Sequence, residues 1–132
     1  MTHAAFKEKE FLISSTKIDA SRLCAMYSAA DVTLGISDAE GFGLSTFESL
    51  ACETPILVNM TGGLQEQVTS GSKVSYKGVT SRNKKSKKVK QYDHGVGLEP
   101  SSKAIIGSQE VPYIHEDRLS EKSVVDGMML MY

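Results

Sequence analysis

Apolar positions along this chain fall in short blocks separated by glycine or polar turns. Phe11-Leu12-Ile13 runs into Ser14-Ser15 and reads as a buried strand followed by a polar turn. Leu23, Met26, Tyr27 and Ala30 then recur at helical spacing behind Asp19 or Ser21, either of which suits an N-cap, so a helix with one apolar face is expected to pack on a sheet. Asp31-Val32-Thr33-Leu34-Gly35-Ile36 follows as a second, parallel strand. A turn over residues 37–43 leads into a helix from Leu44 to Cys52, with Leu44, Phe47 and Ala51 on one side, and Pro55 separates it from the strand Ile56-Leu57-Val58. Thr61-Gly62-Gly63 makes another glycine turn before a short helix over Leu64 to Val68. Lys73 to Tyr76 reads as a small strand, Gly95-Val96-Gly97-Leu98 as a fourth core strand, and Ser120 to Tyr132 as a closing helix. Residues 107–114 carry no readable motif and are expected to be an excursion before that helix.

Strand, glycine turn, helix and strand in repetition predict an α/β fold, a Rossmann-like doubly wound parallel sheet, whose ligands bind at the carboxyl ends of the strands. Residues 37–48 and 60–66 both fall at that rim. The length of 132 residues suits one domain spanning residues 1–132. The longest apolar runs, Leu23–Tyr27 and Met128–Tyr132, are far shorter than the roughly 20 residues of a membrane span. The amino-terminal residues lack the apolar stretch of a secretory signal, so a cytoplasmic location is expected. Cys24 and Cys52 belong to no metal-spaced cluster and are expected to be reduced core residues.

The net charge of −1 hides a partition: residues 71–90 carry 8 basic side chains and no acidic one, while acids predominate on both sides. The block from Arg82 to Lys90 offers only Val89 to bury, so a solvated basic surface loop is expected at about residues 77–92. It contains no aromatic side chain to stack on bases, which favours a solubilising insertion over a nucleic-acid site. His3, His94 and His115 are scattered singly, without metal-ligand spacing.

The chemistry concentrates in Glu40-Gly41-Phe42-Gly43-Leu44-Ser45-Thr46-Phe47-Glu48. Gly41 and Gly43 allow a ligand to approach the backbone, and the free amides of the following helix favour a diphosphate or sugar oxygens. Glu40 in the loop and Glu48 on the helix can accept hydrogen bonds from paired hydroxyls, as on a sugar and a ribose. This segment resembles the E-x7-E signature of retaining glycosyltransferases of the GT-B fold, especially glycosyltransferase family 4. Tyr27 to Val32 resembles the stretch before the signature, Glu48-Ser49-Leu50-Ala51 its helix, and Thr54 to Val58 with Gly62-Gly63-Leu64-Gln65-Glu66 the strand and turn after it. The likeness extends over about residues 11–68.

The resemblance implies part of a GT-B carboxyl-terminal domain that binds a nucleotide-diphosphate sugar for retaining hexosyl transfer. By that resemblance Glu40 is the catalytic carboxylate, stabilising an oxocarbenium-like state; Gly41, Phe42 and Gly43 line the donor-sugar pocket, Leu44 and Ser45 lie near the diphosphate and nucleoside, and Glu48 holds the ribose. It implies no resident cofactor and no metal site, and no D-x-D motif is present. The family's diphosphate-binding Arg and Lys and its acceptor-binding domain lie upstream of the matched region, so a separate domain or subunit is expected to supply them; the acceptor is unspecified. Glu53 stands where the family usually has glycine. The rival expectation is a catalytically inert nucleotide-sugar-binding or interaction module.

Overall fold

A computed structural model describes residues 16–71 and 89–132. The expected strands at Phe11–Ile13 and Lys73–Tyr76, and residues 77–88 of the expected basic loop, lie outside that range. In chain order the elements are α1 (Ala20–Ala29), β1 (Thr33–Gly35), α2 (Leu44–Ala51), β2 (Ile56–Asn59), α3 (Gly62–Thr69), β3 (Val89–Tyr92), β4 (Gly95–Leu98), β5 (Ser102–Ile106), β6 (Ile114–Arg118) and α4 (Glu121–Met131).

The main sheet has the order β1-β2-β4-β3. β1, β2 and β4 are parallel, as the strand-helix alternation predicts, whereas β3 runs antiparallel at the edge, with Val89 opposite Leu98 and Tyr92 opposite Gly95. The last four residues of the expected basic loop are therefore a strand, and its Lys90 reaches Glu99 at 2.6 Å. β2 is covered on both faces, the environment that selects an unbroken Ile-Leu-Val run. Ile56 and Val58 pack with Leu64, Val68 and Tyr92 beneath α2 and α3, while Leu57 joins Val96 and Leu98 beneath Val124, Leu130 and Met131 of α4. Each such side chain contributes about 1.5–3 kcal/mol through burial. With helices on both faces, the sheet is doubly wound and Rossmann-like.

Three helical expectations need correction. Asp19, rather than Ser21, caps α1 by accepting the Arg22 amide at 3.0 Å, but the Leu23/Met26/Tyr27/Ala30 face does not bury against the sheet: α1 has no buried residue and packs along α2, and Ala30 is its C-cap. Leu44 and Phe47 of α2 are likewise exposed, and the helix turns Thr46 and Ser49 inward. Those hydroxyls are satisfied there, since Ser49 Oγ donates within reach of Thr33 Oγ1 (2.9 Å) and the Thr54 carbonyl (3.1 Å), so burial costs little. Cys24 and Cys52 are both free but lie outside the core, the first exposed and the second partly so.

Residues 102–118 form a separate antiparallel hairpin, β5 with β6, and the segment without a readable motif is its tip. The hairpin rests on the carboxyl rim of the main sheet. The Asp117 amide donates to the Asp38 carbonyl at 2.7 Å, and Asn59 Nδ2, at the end of β2, donates to the Ser37 and Asp117 carbonyls. Among the described residues, no helix is long and apolar enough to cross a membrane.

Candidate functional site

Two connections at the carboxyl ends of β1 and β2 form the candidate site. The first, residues 36–43, ends at Gly43, which enters α2 with φ 82° and caps it without a side chain. The first helical bond runs from the Phe47 amide to the Gly43 carbonyl at 3.1 Å, so the amides of Leu44, Ser45 and Thr46 precede the ladder. Leu44 and Ser45 are both exposed at this terminus.

The second connection packs directly on the first. Gly62 and Gly63 open α3, two residues earlier than the sequence pattern places the helix. The Gly63 amide lies 3.1 Å from the Gly41 carbonyl and 3.3 Å from that of Glu40. A Cβ on Gly62 would stand 1.8 Å from the Glu40 carbonyl oxygen, and one on Gly63 2.6 Å from that of Gly41. These glycines are therefore needed for contact between the two loops, and the Gly63 amide is engaged within the protein. Around Gly41, by contrast, a Cβ would meet nothing within 4 Å.

Gln67 completes the junction from α3. Its Nε2 donates to the Phe42 carbonyl and lies 3.1 Å from that of Gly43, while its Oε1 accepts from Thr46 Oγ1 at 2.7 Å. Sequence reasoning missed both Gln67 and Thr46. The available signal was that Gly63, Leu64, Gln67 and Val68 share one helical face, where a polar residue among apolar ones calls for an internal partner.

The two carboxylates occupy different flanks. Glu40 is half-buried in the loop, and its carbonyl, not its carboxylate, makes the described contact with α3. Glu48 is exposed on the side of α2 that faces α1, where Tyr27 Oη donates to its Oε2 at 3.2 Å. Burial, then the hydrogen bond and charge of Glu48, raise the Tyr27 hydroxyl above its ordinary value and keep it a donor. Phe42 and Phe47 meet with ring centroids 5.4 Å apart, and with Gly63, Glu66 and Gln67 they line a groove of about 390 Å³ between α2 and α3. Glu40, Leu44, Ser45 and Glu48 do not line that groove. Of the scattered histidines, His94 sits against the Ser70 carbonyl at 3.1 Å and His115 lies on β6; His3 is outside the described residues. Among the described residues, no group of three or more His, Cys, Asp or Glu could hold a metal ion.

A Rossmann-like sheet with two interlocked glycine connections at its carboxyl rim defines an α/β domain of the class whose ligand crevice lies outside the carboxyl ends of its strands. The family model described as glycosyl transferases group 1 matches residues 9–92, and the chain belongs to that family. Similar proteins include a D-inositol 3-phosphate glycosyltransferase of Thermobifida fusca, 32% identical over 112 residues, covering 85% of this chain and 24% of the relative. A D-inositol 3-phosphate glycosyltransferase 2 of Catenulispora acidiphila is 41% identical over 54 residues, 41% of this chain and 13% of that protein. A GDP-mannose-dependent alpha-(1-6)-phosphatidylinositol dimannoside mannosyltransferase of Mycobacterium tuberculosis is 41% identical over 54 residues, 41% of this chain and 14% of that protein. The matched stretch thus spans about a quarter or less of these relatives. No solved structure matches the chain.

Proposed function

We propose that the β1–α2 connection binds the donor of a retaining hexosyl transfer, a nucleotide-diphosphate sugar. The observation that carries the reading is the exposed, side-chain-free amino terminus of α2, held by the Gly62–Gly63 contact, with Glu40 just before it and Glu48 one turn beyond its first amides. The names of the similar proteins support a sugar donor and an acceptor, and one of them states a GDP-mannose donor.

In this reading the amides of Leu44 and Ser45 take the charge of the diphosphate as the bond from its oxygen to the anomeric carbon breaks. Gly41, Phe42 and Gly43 bring backbone against the donor sugar. Glu40 positions the sugar hydroxyls and stabilises the cationic ring, while the acceptor hydroxyl attacks on the face the leaving group vacates and gives its proton to the departing diphosphate oxygen. Glu48, with one oxygen oriented by Tyr27, holds the ribose hydroxyls through the other. The reading assigns no resident cofactor or metal.

A second reading is donor binding without transfer: of the six basic side chains among the described residues, Lys90, Lys103, Arg118 and Lys122 are each paired with a carboxylate, which leaves Lys17 and Arg22 to screen a diphosphate. Steady-state kinetics with labelled UDP- and GDP-sugars, alongside nucleoside diphosphate titration, separate the two. Transfer that Glu40→Ala slows and Glu48→Ala weakens through donor affinity supports the enzyme reading; binding with no turnover supports the second, and equal, negligible effects of both substitutions refute the site.

A further inference from the structure

We propose that Cys24 and Cys52 form a reversible dithiol–disulfide site, oxidised by small disulfides, whose bond pins α1 to α2 beside Glu48. The two residues are 28 apart in sequence, yet their sulfurs lie 3.0 Å apart across the α1–α2 contact. A disulfide has its sulfurs about 2.05 Å apart, so bond formation asks for about 1 Å of approach. α1 has no buried residue to hold it back. Both thiols are free, and Cys24 is exposed to a reagent.

The order of attack follows from the contact itself. Cys52 donates its thiol proton toward the Cys24 sulfur; that hydrogen bond, then burial and the charges of Cys24 and Glu48, raise the Cys52 thiol above its ordinary value. Cys24, the more exposed of the two, is the first nucleophile. Its thiolate attacks one sulfur of a disulfide such as oxidised glutathione, forming a mixed disulfide and releasing one glutathione thiolate, which takes up a proton. Cys52 gives up its proton and attacks the Cys24 sulfur, displacing the second glutathione. The protein loses two hydrogens and two electrons, and one small disulfide becomes two thiols.

The position gives this chemistry a consequence. Tyr27 lies one turn after Cys24 on α1 and Glu48 one turn before Cys52 on α2, and their hydrogen bond is the neighbouring link between the same helices. Closing the disulfide holds Tyr27 on Glu48 and presents the carboxylate to a ribose. This consequence rests on the reading of Glu48 given above, whereas the disulfide itself does not.

The test incubates the whole chain with graded ratios of oxidised to reduced glutathione, quenches by alkylation and measures intact mass. Cleavage after glutamate, at Glu40 and Glu48, separates the cysteines unless a disulfide joins them. The expected result is a mass two hydrogens lower with joined fragments, reversed by dithiothreitol, while Cys52→Ser retains a glutathione adduct on Cys24. The oxidised chain should melt at a higher temperature and bind UDP or GDP a few-fold more tightly, and Glu48→Ala should abolish that difference in affinity. Persistent glutathione adducts on the unsubstituted chain, or disulfides only between chains, overturn the proposal. If the internal bond forms and raises the melting temperature, but nucleotide affinity is the same in both redox states and in Glu48→Ala, the dithiol site stands and the ribose role of Glu48 fails.

Discussion

Gly63→Ala tests the interlocking of the two connections. The added Cβ would stand 2.6 Å from the Gly41 carbonyl oxygen, 2.7 Å from Phe42 Cα and 2.8 Å from the Phe42 carbonyl oxygen, all backbone atoms that no rotamer change can move aside. Bringing the shortest of these out beyond 3.0 Å requires the Glu40–Phe42 segment to shift by at least about 0.4 Å. Overpacking of this kind costs about 1–3 kcal/mol, offset by up to about 1 kcal/mol for alanine in place of glycine in a helix. The net loss then lies between about 0 and 3 kcal/mol, centred on roughly 1.5 kcal/mol. Gly62→Ala should lose more, because its Cβ falls 1.8 Å from the Glu40 carbonyl oxygen and its φ is 44°. Gly41→Ala is the control: its Cβ has open space, so stability should stay level or rise by about 0.4–1 kcal/mol. Equilibrium urea unfolding followed by circular dichroism measures all three. A Gly63→Ala chain as stable as Gly41→Ala would refute the argument that these glycines exist for loop contact.

Two further outcomes concern other parts of the fold. Glu53 sits at φ 62° just after α2, so Glu53→Gly should stabilise the chain by about 1 kcal/mol in the same urea assay, and no gain would show that the surroundings favour the side chain. Asp117 is held below the ordinary aspartate value of 3.8 by its hydrogen bond to Lys103, with Thr61 and the charges of Lys103 and His115 outweighing burial. Its lowered native pKa means the unfolded chain binds the proton first. The contribution is therefore complete above the ordinary aspartate range and is lost as pH falls through the native value. Asp117→Asn should be less stable than the unsubstituted chain at neutral pH, with the difference closing in acid, and a pH-independent difference would rule out the charge as its source.

The strands were legible where burial on both faces demands an apolar run, as at Ile56–Val58 and Gly95–Leu98. The helical faces were not, because apolar periodicity cannot register a helix that packs through satisfied hydroxyls. Thr46 and Ser49 lie inward with partners on α3 and β1, and Leu44 and Phe47 are left outside. The edge strand β3 escaped notice for a related reason: Val89–Tyr92 continues a run of basic charge, and only its pairing with β4 makes it a strand. The hairpin over residues 102–118 has most of its residues exposed, so neither face leaves a period-two imprint. Glycines at the site were visible, but their division of labour was not. Gly62 and Gly63 serve a loop contact and Gly41 stands open, a distinction that depends on which backbone lies opposite each.

The most direct measurement is amide chemical-shift mapping of the isotopically labelled chain as UDP or GDP is added. The account predicts that the largest changes fall on Gly41–Ser45 and Glu48 with smaller ones on Gly62–Leu64, and that Glu48→Ala weakens the titration by about ten- to a hundredfold, the loss of one charged hydrogen bond of ~1.5–3 kcal/mol. Changes confined to the Phe42/Phe47/Glu66 groove or to the β5–β6 hairpin, with Glu48→Ala binding as tightly as the unsubstituted chain, would contradict it.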